Sequence, residues 1–148
     1  MAIVLPKFPR SGVSTRSAVA CRGKVMIRLL GLQPGYMPND VLELEYTIEN
    51  IDSTSISAVE VSVLWLTEGK GTEDMGVHFF QRLTGNSLGA INWSVPQTLK
   101  VPLPESPLSY EGRIVKISWC VRARFYMNDG TEYLGQEPFY LGAITKAI

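Results

Sequence analysis

Arg113-Ile114-Val115-Lys116-Ile117-Ser118-Trp119-Cys120-Val121-Arg122-Ala123-Arg124-Phe125-Tyr126-Met127 decides the fold, because it alternates strictly between two chemistries. Val115, Ile117, Trp119, Val121, Ala123 and Phe125 share one side, and Lys116, Ser118, Cys120, Arg122, Arg124 and Tyr126 share the other. Side chains alternate across a strand but wind round a helix every 3.6 residues, so only an extended chain keeps the two sets apart. The stretch reads as one long strand with a buried and an exposed face. Asn128-Asp129-Gly130 follows, a run that accepts positive φ, and the β-favouring residues 131–134 come next. That order predicts a hairpin.

The same two-residue rhythm extends upstream. In 41–49, Leu42, Leu44, Tyr46 and Ile48 oppose Glu43, Glu45, Thr47 and Glu49. After the turn-forming Asn50-Ile51-Asp52-Ser53-Thr54-Ser55, it resumes with Val59, Val61, Val63 and Trp65 against Glu60 and Ser62. Residues 24–30, 76–83, 97–103 and 139–141 are further strand candidates, with Pro138 marking a sheet edge or bulge because it has no N–H for a ladder bond. No window of helical length keeps a 3.6-residue period. Seven or eight strands without helices to cover a parallel sheet predict an all-β, two-layer antiparallel β-sandwich of the immunoglobulin-like kind.

Length and composition agree with one such domain. The chain has 148 residues, 45% hydrophobic and 19% charged, which suits a single folded core and not a disordered chain. No run of about 18 apolar residues is present to cross a bilayer as a helix. The first ten residues are interrupted by Pro6 and Pro9 and lack the apolar segment of a secretory signal, which points to the cytoplasm. Cys21 and Cys120 have neither metal-knuckle nor C-x-x-C spacing, so two free thiols are expected. Charge divides the chain: Lys7, Arg10, Arg16, Arg22, Lys24 and Arg28 all precede the first acid, Asp40, while the remainder holds 8 bases against 14 acids. The expected organisation is therefore a basic N-terminal arm over 1–22 followed by a sandwich domain over 23–148. The arm, with Lys7, Phe8, Arg10 and Arg16, either rests on an acidic surface of its own body or of another copy, or extends as a solvated tail. With Phe8 as its lone aromatic, it does not read as a nucleic-acid binder.

Catalysis requires a nucleophile beside a base, converging carboxylates, or a metal with three or more ligands. His78 is the only histidine; alternation puts it opposite Val77 and Phe79, as a partly exposed strand residue. With Cys21 and Cys120 so far apart, no metal and no cofactor is expected, and the chain reads as a non-enzyme. Residues 67–74 carry Gly69-Lys70-Gly71, but a phosphate-binding P-loop needs G-x-x-x-x-G-K-[ST] before a helix, and Glu68, Glu73 and Asp74 would repel phosphate. An acidic hairpin tip is expected there, suited at most to a basic partner. Lys116, Arg122 and Arg124, in line with Tyr126, either bind an anionic group or pair across strands with Glu43, Glu45 and Glu49.

Pro102-Leu103-Pro104-Glu105-Ser106-Pro107-Leu108-Ser109-Tyr110-Glu111-Gly112, running into the long strand from Ile114 to Arg124, resembles the arrestin-like family, in which a proline-rich loop precedes a strand of this pattern. The order of the upstream strands fits the same family, so the resemblance spans about two thirds of the chain and looks like a single arrestin-N-type sandwich. The pattern in residues 61–80 is also similar to small bacterial proteins without an assigned activity. The resemblance implies a scaffold or adaptor; the open edges of a sandwich and the basic arm are the expected contacts with a protein partner or with another copy. A second reading is a small-ligand or carbohydrate-binding sandwich that uses Trp93, Tyr126, Tyr133 and Tyr140, provided these four share a surface.

Overall fold

A computed structural model describes residues 23–31, 35–69, 71 and 73–142. The arm over 1–22, with Lys7, Phe8, Arg10, Arg16 and Cys21, lies outside the described residues, as do Lys70 and Thr72. The strands are β1 (Lys24–Leu29), β2 (Gly35–Tyr36), β3 (Val41–Glu49), β4 (Ile56–Gly69), β5 (Met75–Thr84), β6 (Gln97–Pro102), β7 (Tyr110–Glu111), β8 (Val115–Met127) and β9 (Glu132–Leu141). A single helical turn, α1 (Asn86–Gly89), and a 3₁₀ turn at Ser53–Ser55 are the helical elements described.

These strands form the two expected layers. One sheet has the order β1-β3-β6, and the other β2-β9-β8-β4-β5, with β7 added beside the start of β8. Neighbours are antiparallel except the short β2–β9 pair. The core is made by the faces that alternation assigns inward: Leu42, Leu44 and Tyr46 from β3, Val59, Val61 and Val63 from β4, and Trp119, Val121, Ala123 and Phe125 from β8. Trp119 is 1% exposed. Trp93, carried by the connection before β6, packs its ring 5.4 Å from Phe125 and 6.2 Å from Tyr46. Burial of this kind contributes roughly 1.5–3 kcal/mol per large side chain, the main term opposing chain entropy.

The turn chemistry follows the residues that predicted it. In the β8–β9 hairpin Met127 N donates to Thr131 O at 2.9 Å, and Gly130 takes φ +92°, a conformation a Cβ disfavours. At the β3–β4 turn Asn50 has φ +55°, and the Asp52 carboxylate accepts from Thr54 Oγ1 at 2.7 Å and from Thr54 N at 3.0 Å, contacts that lower the carboxyl pKa.

Two expectations need correction. Residues 132–134 and 139–141 belong to one continuous strand, β9, that runs through Gly135 and Pro138. Gly135 is there for close approach: a Cβ would come within 2.6 Å of the Val25 carbonyl oxygen, where β1 crosses β9. Pro138 precedes the two residues that β2 pairs, so no described strand flanks its outer side, the setting a proline tolerates. The second correction concerns the far face of β8. Cys120 and Arg122 are buried there, Arg122 at 7% exposure, between cross-strand neighbours Leu64 and Ser62 on β4 and Pro138 and Gln136 on β9. Central position in the sheet buries residues that alternation alone assigns to solvent.

Candidate functional site

The outer face of the larger sheet gathers the charges that the sequence singles out, with different partners from those expected. β8 does not adjoin β3, so Glu43, Glu45 and Glu49 belong to the other sheet, where Glu45 accepts from Arg28 Nη2 at 2.8 Å. Across the β4–β8 pair Glu68 stands opposite Lys116, and the acid directly opposite Arg124 in register is Glu60 of β4. Its carboxylate accepts from the Tyr126 hydroxyl at 3.0 Å and from Arg82 Nη1 of β5. Arg82 also lies 5.8 Å above the Tyr126 ring, and burial is the leading cause that raises the Tyr126 phenol pKa. Arg124 comes within 3.9 Å of Glu132, and Arg122 Nε donates to Gln136 Oε1 at 3.1 Å. Glu60 is thus the hub that sequence reasoning missed. Its outward position was legible, but the pairing of β4 with β8 was not.

The acidic tip is not a converging site. Glu68 stands opposite Lys116 in register, Asp74 accepts from Met75 N at 2.9 Å, and Glu73 is exposed. Thr67 Oγ1 accepts from Asp74 N at 2.8 Å and closes the hairpin. Among the described residues no cluster of three or more His, Cys, Asp or Glu side chains could hold a metal. Burial pushes the Cys120 thiol up to about 11, against a smaller opposing effect of Arg122, which leaves it a thiol at neutral pH.

His78 is exposed, as expected of it, but its direction departs from simple alternation. The β4–β5 register shifts between Val63, paired with Phe79, and Leu64, paired with Val77, so His78 is the extra residue of a bulge. The bulge aims its ring across the sandwich: Nε2 donates to the Pro102 carbonyl oxygen at 2.7 Å, and the ring meets Trp119 edge-on at 6.1 Å. The histidine links the two sheets. The four aromatics of the carbohydrate reading do not share a surface: Trp93 packs on Tyr46 and Phe125, Tyr133 packs against the core, Tyr126 is tied to Glu60, and Tyr140 is exposed.

β5 forms one end of the larger sheet, and among the described residues its outer edge has no strand partner. Val77 and Phe80, on its outer face beside Leu64 and Ser62, are 48% and 54% exposed. A groove of about 170 Å³ lies alongside, between β5 and the arginines of β8.

No protein-family profile matches the chain, and no curated protein matches it in sequence. Among solved structures it is similar to Spo0M, the sporulation control protein of Bacillus subtilis, at 12% identity and a TM-score of 0.54, over 82% of this chain and 49% of that one. The chain therefore spans about half the length of Spo0M. It also matches a superoxide reductase (neelaredoxin) of Ignicoccus hospitalis at 10% identity and a TM-score of 0.48, over 80% of each chain. The likeness to Spo0M shows a shared β-sandwich, a coarser statement than the arrestin-like resemblance of residues 102–124. The expectation of a non-enzyme is withdrawn: an enzyme, a superoxide reductase, is among the structures matched. A likeness of 10% identity in turn assigns no reaction to this chain. No helix among the described residues is long and apolar enough to cross a membrane.

Proposed function

We propose that this chain is a protein interaction or assembly module, a cytoplasmic scaffold or adaptor of the arrestin-like kind, which binds through a sheet edge with the basic segment 1–22 as a second contact. The observation that carries the reading is the β5 edge. It is ten residues long, contains no proline or lysine, and presents Val77 and Phe80 to solvent. Sheet edges of this length are ordinarily blunted by such residues, because their free N–H and C=O groups recruit other strands. Lys7, Arg10, Arg16 and Arg22, with no acid among them, add an electrostatic attraction for the acidic remainder of a partner or copy.

In-cell cross-linking of the tagged full-length chain tests the module reading. Cross-links from β5 or from Lys7 to another polypeptide, own copies included, are the expected result. A chain that cross-links to no polypeptide at its native abundance is no such module. Replacing Lys7, Arg10 and Arg16 by glutamate should weaken the association and flatten its salt dependence, and unchanged association would remove the arm from the scheme.

A further inference from the structure

We propose that the occupant of the β5 edge is a second copy of this chain, joined by antiparallel β5–β5 pairing about a two-fold axis at the His78–Phe79 bulge. The inference rests on the interaction-module reading and names its partner. A comparison of edges selects β5. β2 and β7 are two residues each. β6 is six residues, carries Lys100 and ends in Pro102, while β1 is six residues with Lys24 and Arg28 and lies against β9 at Gly135. All four are short, and charged or covered besides, which protects an edge; β5, at ten residues, has only its bulge and Arg82.

The side-chain order of β5 is its own complement. The bulge places Val77 and Phe80 three residues apart yet on one face, opposite Leu64 and Ser62 of β4. In antiparallel pairing centred on the bulge, Val77 of each copy faces Phe80 of the other, so both exposed apolar residues are covered twice over by symmetry. The same register sets Gly76 opposite Gln81 and Met75 opposite the aliphatic stem of Arg82. Glu73 then lies diagonal to Arg82 of the other copy, within reach of two long side chains. The segment is acidic where it begins, at Glu73 and Asp74, and basic near its end, at Arg82; this polarity favours antiparallel self-pairing and opposes the parallel arrangement. A slip of one residue would turn the apolar pair to the opposite face from its partners. The bulge also discriminates among occupants. It bends the edge away from a regular strand, whereas a copy bends at the same place and can follow it.

Sedimentation velocity of the purified full-length chain tests the proposal. The expected result is a concentration-dependent shift from 16.4 kDa to twice that mass. Phe80→Lys should abolish the shift with the melting temperature retained, and Ile114→Lys, at an exposed apolar residue elsewhere, should leave it intact. In a Cys21→Ser background, mild oxidation of a V77C and F80C mixture should give a cross-linked heterodimer in preference to either homodimer, a readout independent of the folding of Phe80→Lys. A chain that stays monomeric into the high micromolar range, a dimer indifferent to Phe80→Lys, or homodimeric cross-links in preference would overturn the proposal. If the monomeric chain still cross-links to a different protein in cells, and Phe80→Lys abolishes that, the module reading stands and the self-pairing alone falls.

Discussion

At the scale of single residues, the charge at a position matters according to its neighbours across strands and not to its place in the alternation alone. Val121 is fully buried and Arg124 is partly exposed beside Glu60 and Glu132. Val121→Asp should cost about 4 kcal/mol or more, because it buries an unpaired charge. Arg124→Gln should cost less than about 1 kcal/mol, since a half-exposed pair is screened. Urea unfolding checks both, and equal midpoints would refute the face assignment. Arg122 sits between these limits, since it is buried and hydrogen-bonded to Gln136. Tyr46 supplies a pH dependence. Burial pushes its phenol from the usual 10.0 up to about 12. Below pH 10 both folded and unfolded chains keep the proton. Between about 10 and 12 only the unfolded chain releases it, so unfolding is progressively favoured. The full loss is about 3 kcal/mol from this one group. Tyr46→Phe should therefore show a shallower fall in stability from pH 9 to about 11 than the wild type, as read by denaturant titration at each pH.

At the scale of elements, turns and long strands obey local chemistry, and irregular positions do not. The β8–β9 hairpin is local: the Gly130 conformation at φ +92° is what Asn128-Asp129-Gly130 promises. Gly130→Ala should destabilise the chain by about 1 kcal/mol, measured by chemical denaturation, with the native spectrum kept. Where glycine, proline or histidine interrupts a strand, sequence punctuation misleads. Residues 131–134 and 139–141 read as separate strands, yet β9 runs on through Gly135, which admits the Val25 carbonyl, and Pro138, which has the edge setting expected of it because no described strand flanks its outer side. His78 reads as an alternating residue, yet the bulge turns it onto Pro102 and Trp119. Each of these depends on an element distant in sequence, and local propensity carries no information about it.

At the scale of the whole molecule, one core lies between the two sheets, and both supply it: β3 and β6 from one layer, β4, β8 and β9 from the other. Neither layer can keep its apolar face dry alone, so unfolding followed by tryptophan fluorescence and by far-ultraviolet circular dichroism should give coincident transitions. Separate midpoints would mean that a layer survives on its own. The sandwich class, the inward faces of β3, β4 and β8, and the hairpin turn were determined by the sequence alone, because a two-residue period and turn-residue chemistry are properties of a few neighbouring residues. The tertiary structure decided the rest: β4 and not β3 lies beside β8, Glu60 becomes the hub for Arg82 and Tyr126, Arg122 is buried, and β5 is left at the end of its sheet with Val77 and Phe80 uncovered. Strand order arises from contacts between segments far apart along the chain, and alternation is the same whichever neighbour a strand receives.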